Sequence, residues 1–91
     1  MEHVKKVLPE YFQNILEGKK NYELRLADWK CNEGDVLLLK EWDSKSKKFT
    51  GREIRKRVTY VGKTKDMSFW SKEDVEKYGY QIISLGDISK K

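Results

Sequence analysis

Apolar positions recur along the chain at two spacings, and the changes between them mark the elements. His3 to Leu8 alternates weakly, with Val4 and Lys6 on one side and Lys5 and Val7 on the other, so a short strand is expected. Pro9 suits the first position of a helix, where its missing N–H costs nothing. Tyr11, Phe12, Ile15 and Leu16 then share one helical face, and Gly18 suits a left-handed stop. A two-turn helix over Pro9 to Glu17 is too short to stand alone and must lean on a sheet. Asn21 to Leu26 alternates cleanly, with Tyr22, Leu24 and Leu26 facing one way and Asn21, Glu23 and Arg25 the other. This pattern predicts a second strand.

Ala27 to Gly34 reads as a polar connection, and Glu33-Gly34-Asp35 as a tight turn. Asp35 to Trp42 holds the unbroken run Val36 to Leu39, which predicts a strand buried on both faces at the centre of the sheet. Asp43 to Lys48 reads as a long hairpin loop closed by Thr50-Gly51. In the strand expected over Arg52 to Gly62, Ile54, Lys56, Val58 and Tyr60 share one face and Glu53, Arg55, Arg57 and Thr59 the other. Lys63 to Trp70 is a loop. Ser71 caps a short helix, Lys72 to Tyr78, which stops at Gly79. Tyr80 to Leu85 predicts a last strand, and 87–91 a frayed tail. The order β-α-β-β-β-α-β, without repeat or linker, predicts one α+β domain over 1–91: a small mixed β-barrel with helices at its ends.

Length and composition narrow this picture. A chain of 91 residues buries roughly 60–65% of its unfolded surface, enough for one core that its eleven aromatic residues can largely fill. No apolar run approaches the ~20 residues of a membrane span, and Met1 to Lys6 lacks a signal core. Cys31 has no disulfide partner, and with His3 alone no Cys/His metal set can form. The expectation is a cytoplasmic monomer without metal or cofactor.

The net charge of +5 is unevenly spread. Ser44 to Lys72 carries ten Lys or Arg against two acids, a local balance of +8, while Met1 to Asp43 is at −2 and Glu73 to Lys91 at −1. A one-sided positive field suits a polyanion, with nucleic acid the default, although a solvated Lys-rich surface has the same composition. Lys45, Lys47, Lys48, Arg55, Arg57, Lys63 and Lys65 are the candidate phosphate contacts, and Trp70, in the basic region, a candidate stacking platform. Trp42, ending the buried strand, reads as core.

The stretch Gly18 to Arg25 carries the other candidate chemistry. Lys20, Glu23 and Arg25 lie within six positions, beside Tyr22. Arg offers a planar fork to a carboxylate, a phosphate or a base edge, Glu accepts from amino groups, and Lys adds a movable cation. The same spacing also fits an ordinary surface ion pair, typically worth ~0–1 kcal/mol. No nucleophile–base motif involves Cys31 or His3, and the glycines form no phosphate loop.

Gly18-Lys19-Lys20-Asn21-Tyr22-Glu23-Leu24-Arg25 resembles the Gly-x-Lys-x-x-Glu-x-Arg signature of ASCH domains, in the PUA-like superfamily. Leu8 to Phe12, Glu33 to Asp35, Leu39 to Trp42, Thr50 to Arg52 and Gly79-Tyr80 extend the resemblance over nearly the whole chain, towards a small single-domain branch. It implies a β-barrel with a cleft beside the first helix, lined by the signature residues, and an RNA-related role. Similar small bacterial proteins are amidohydrolases on N4-acetylcytidine, thought to use a Lys, a Thr and a Glu. Lys20 matches that lysine, but Glu23 stands at the threonine's position and cannot serve as that nucleophile. The resemblance therefore implies an RNA- or modified-nucleotide-binding module, with Lys20, Tyr22, Glu23 and Arg25 as its cleft. A hydrolase of acylated cytidine, with Lys20 catalytic, is the alternative, and an interaction domain for an acidic protein the third.

Overall fold

Five elements form in a computed structural model that describes residues 1–65 and 67–88. They are β1 (Glu2–Val7), α1 (Pro9–Leu16), β2 (Val36–Asp43), β3 (Lys48–Arg57) and α2 (Lys72–Tyr78). Residues Met1–Val61 pack as one unit, and the chain from Gly62 onward as a second.

In the first unit the three strands form an open sheet in the order β1-β2-β3. The most apolar strand is central, as its unbroken run predicts. β2 and β3 are antiparallel and joined by the four-residue turn 44–47. The strands extend to the pair Asp43–Lys48, so the connection is shorter than the loop expected from the sequence. β1 instead pairs with β2 in parallel, Glu2 against Val36 through Val7 against Glu41. Parallel neighbours need a long crossover, which α1 and the loop to Asp35 supply. Up-and-down pairing therefore does not hold at the first connection.

α1 starts at Pro9 and places Phe12 and Ile15 against Val7, Leu37 and Leu39. Each such large side chain contributes roughly 1.5–3 kcal/mol on burial. Trp29, Cys31, Ile54 and Val58 pack around this core. The helix closes at Gly18, whose φ of 76° lies in the left-handed region, and the N–H groups of Lys19 and Lys20 both donate to Asn14 O. The chain is thereby turned back along the sheet.

One irregularity shapes the far end of the sheet. Lys40 faces Glu53, whereas Trp42 faces Phe49, so β3 bulges opposite Glu41. Gly51, at φ 101°, absorbs the bend that a β-carbon would strain. Thr50-Gly51 thus lies within the strand and does not close the hairpin loop.

Two expected strands do not form. Residues 21–26 and 80–85 have no regular structure and no ladder, leaving Leu24, Leu26, Ile83 and Leu85 exposed. Alternation gives a segment two faces but not a hydrogen-bonding partner. The expected order and closed barrel give way to three strands, an open sheet and two helices.

In the second unit, Ser71 Oγ accepts from Asp74 N at 3.1 Å, the cap expected for α2. Phe69, Trp70 and Tyr80 meet edge to face, with Trp70 lying 5.9 and 6.1 Å from its neighbours. Of the expected tail 87–91, residues 89–91 lie outside the described residues.

Candidate functional site

The turn at Gly18 delivers Lys20, Tyr22, Glu23 and Arg25 to one place beside α1. Lys20 Nζ donates to Glu23 Oε2 at 3.0 Å and to Tyr22 O at 2.8 Å. Arg25 donates to Glu23 Oε1 through Nη2 at 2.9 Å and Nε at 3.3 Å. The Glu23 carboxylate is therefore held between two cations. Arg25 Nη2 also donates to Lys6 O at 2.6 Å, so a side chain ties the loop to β1 where no strand ladder does. Asn21 Nδ2 donates to Gly18 O at 3.0 Å and braces the turn.

Lys20 and Glu23 are half-buried, while Tyr22 and Arg25 are exposed. Lys20 and Glu23 are 15% and 16% exposed and Arg25 31%, less than a free surface pair. The Lys20 ammonium lies 4.5 Å from the Tyr22 ring centroid and 5.7 Å from that of Tyr11. Among the described residues, Arg25 Nη1 has no hydrogen-bond partner, and one Nζ hydrogen of Lys20 remains to donate. The cluster thus offers unspent cationic donors, an anchored carboxylate and two aromatic rings. That combination can grip a polar, planar ligand by its edge and face.

A second clamped carboxylate was not singled out in the sequence. Glu41 points from β2 towards α1 and is buried, accepting from Arg52 through Nε at 2.9 Å and Nη2 at 2.7 Å, and from Thr50 Oγ1 at 2.5 Å. The bulge at Gly51 lets Thr50 and Arg52 reach the same carboxylate. Arg52 and then Thr50 hold the Glu41 carboxyl down at about 2, against desolvation, which acts upward. Arg52 Nη1 reaches Gln13 Oε1 of α1 at 3.3 Å. The signal was present: Leu37, Leu39 and Glu41 share one strand face, so a carboxylate stands where the pattern calls for a core residue. A third acid, Asp35, is held down to about 2 by His3 Nε2 at 2.9 Å and then by Asn32 N at 3.1 Å.

The expected phosphate contacts fall into three groups. Lys45, Lys47 and Lys48 cluster at the β2–β3 turn. Arg55 and Arg57 sit on the expected outer strand face but are engaged internally: Arg55 Nε bonds Glu2 Oε1 at 2.6 Å, and Arg57 Nη1 bonds Gly34 O at 2.8 Å. Lys63, Lys65 and Trp70 belong to the second unit. Trp42, expected in the core, is half-buried on the sheet face opposite α1, against Phe49.

No group of three or more His, Cys, Asp or Glu side chains among the described residues is placed to hold a metal ion. Nor is any helix among them long and apolar enough to cross a membrane.

A small α+β chain with these elements meets one known family. The chain belongs to the family described as a domain of unknown function, DUF3850, which it matches over residues 2–83. It is also similar to an uncharacterized 12.9 kDa protein in the GpA 3' region of Escherichia phage P2. The two are 40% identical over 86 residues, which cover 94% of this chain and 71% of that protein. No solved structure matches it.

Proposed function

We propose that this chain is a nucleotide-binding module of the ASCH, PUA-like type, acting as a cytoplasmic monomer that binds RNA or a modified nucleotide. Lys20, Tyr22, Glu23 and Arg25 form its ligand cleft. The observation that carries this reading is the Glu23 carboxylate held between Lys20 and Arg25, with donors on both cations unspent. A nucleobase edge carries both donors and acceptors. Arg25 and Lys20 would meet its carbonyl or ring-nitrogen acceptors, Glu23 its amino group, and Tyr22 or Tyr11 its ring face. The basic β2–β3 turn, away from this loop in the sequence, would hold the phosphate backbone without base preference.

Binding is favoured over hydrolysis on a specific ground. Lys20 Nζ donates to a carboxylate and to a carbonyl, whereas a lysine base must present a lone pair to its substrate. Glu23, at the position the hydrolases give to a threonine, acts as a clamp on both cations. The test is direct binding of fluorescein-labelled short RNAs and a nucleoside panel to the wild type and to Arg25→Ala. The reading expects at least one nucleoside to bind and the variant to lose on the order of tenfold in affinity, the worth of a hydrogen bond to a charged group. Wild-type turnover of acylated cytidine that Lys20→Ala abolishes would replace this reading with the hydrolase.

A further inference from the structure

The sheet face opposite α1 carries chemistry that the cleft does not use. β-strand alternation puts Lys6 of β1, Lys40 and Trp42 of β2, and Phe49 and Glu53 of β3 on that face. Trp42 and Phe49 are direct cross-strand partners, with ring centroids 4.9 Å apart and planes at 75°. Phe49 is 45% exposed, and Trp42 is half-buried. Ammonium groups occupy the ring faces: Lys6 Nζ lies 3.9 Å from the Trp42 centroid, and Lys40 Nζ 4.7 Å from that of Phe49.

The surrounding charge is one-sided. The aromatic pair is next to last before the turn, followed by Asp43–Lys48 and then Lys45 and Lys47. Lys6 and Lys40 therefore cover the two aromatic rings, and Glu53 shares their face; Lys45 and Lys47 follow in the adjoining turn, while the pair Asp43–Lys48 falls on the opposite face by alternation. Asp43 is partly spent, since its Oδ1 accepts from Lys45 N at 2.9 Å.

We propose that Trp42 and Phe49 form a stacking platform for single-stranded nucleic acid, with Lys6, Lys40, Lys45 and Lys47 as its phosphate contacts. The inference rests on the nucleic-acid reading above and moves the stacking role from Trp70 to the sheet. An arriving base takes over a ring face that a lysine covers. The displaced ammonium, on its flexible four-carbon stem, turns to the phosphate beside that base. A single strand can do this because its bases are splayed, whereas those of a duplex are not. The exchange is tolerant of sequence, because every base has a π face.

The test is fluorescence anisotropy at low salt with labelled oligouridine of about twelve nucleotides, within the usual site size, and an abasic strand of equal length and charge. The wild type should bind oligouridine roughly 5- to 150-fold more tightly than the abasic strand, the worth of one stacked base. Phe49→Leu, which keeps apolar bulk, should remove that preference while keeping the abasic affinity and the salt dependence. Replacing Lys45 and Lys47 by Gln should weaken both strands and lower the salt slope by about 0.7 per lysine that contacts phosphate. Trp70→Leu should change neither. Circular dichroism checks that each variant is folded. Equal wild-type binding of the two strands, or a preference lost in Trp70→Leu and kept in Phe49→Leu, overturns the platform and leaves the nucleic-acid reading standing. Absence of wild-type binding to either strand overturns the platform, whereas only a nucleoside panel that leaves the cleft unoccupied overturns the reading it rests on.

Discussion

Two carboxylates in the first unit are clamped by cations, and their surroundings give them different work. Glu41 stands on the central strand, 4% exposed, with Arg52 bidentate on it and Thr50 filling out its shell. Its partners come from the adjoining strand, and Gln13 of the covering helix extends the network. Glu23 stands on an unladdered loop, 16% exposed on its side chain, between Lys20 and Arg25, which keep donors unspent among the described residues. Burial and regular structure leave Glu41 little to offer a ligand. Partial exposure and open valences leave Glu23 and its cations a great deal. The two pairs differ in sequence as well, since Arg25 lies two positions from Glu23 and Arg52 eleven from Glu41.

The comparison breaks most visibly on stability. Glu41→Ala leaves Arg52, Thr50 and a buried gap without their acceptor, and should cost about 2–4 kcal/mol in chemical or thermal unfolding. Glu23→Ala should cost about 1 kcal/mol or less, since its partners can turn to water. Equal losses would make the loop cluster as structural as the strand one. Binding should reverse the ranking. Arg25→Ala, and Arg25→Lys with it, should weaken nucleotide binding on the order of tenfold, because only the guanidinium fork serves Glu23 and a ligand together.

Acid sharpens the contrast further. The Glu41 carboxyl is lowered from 4.5 to about 2 in the fold, so its contribution is fully present above pH 4.5 and is lost as pH falls towards 2. Asp35, lowered from 3.8 to about 2, adds to the loss in the lower part of that window. Unfolding followed from pH 6 to 2 should therefore show a decline that Glu41→Gln reduces but does not abolish. A last effect concerns the turn that delivers Lys20, Glu23 and Arg25. Gly18→Ala meets nothing within 4 Å but must hold φ near 76°, and should cost about 1–2 kcal/mol with a modest loss of binding.

Much of the first unit was legible because its signals are local. The unbroken Val36–Leu39 run marked the central strand, and Pro9 and Gly18 bounded the helix; in the second unit, Ser71 marked the start of α2 in the same way. The contact of Lys20, Glu23 and Arg25 was legible from their spacing beyond a helix stop. The rest depends on partners. Nothing in Glu2–Val7 states that it will lie parallel to β2, because a crossover shows only in the fold. The alternation at 21–26 describes a strand, yet that segment is tied down by Arg25 to Lys6 O and not by a ladder. The bulge at Gly51 was read as a turn, since a glycine at positive φ serves either. Without that bulge the convergence of Thr50 and Arg52 on Glu41 could not be seen.

The central claim is that the Gly18–Arg25 loop is a ligand cleft and not a surface ion pair. It is tested most directly by titrating isotope-labelled protein with a nucleoside panel and short RNAs, following backbone and arginine side-chain resonances by NMR. The account predicts saturable shifts centred on residues 20–25, with the Arg25 guanidinium among them, and their loss in Arg25→Ala. Shifts confined to residues 45–57, with 20–25 unmoved at saturation, would contradict it and reduce the interaction to charge attraction at the sheet.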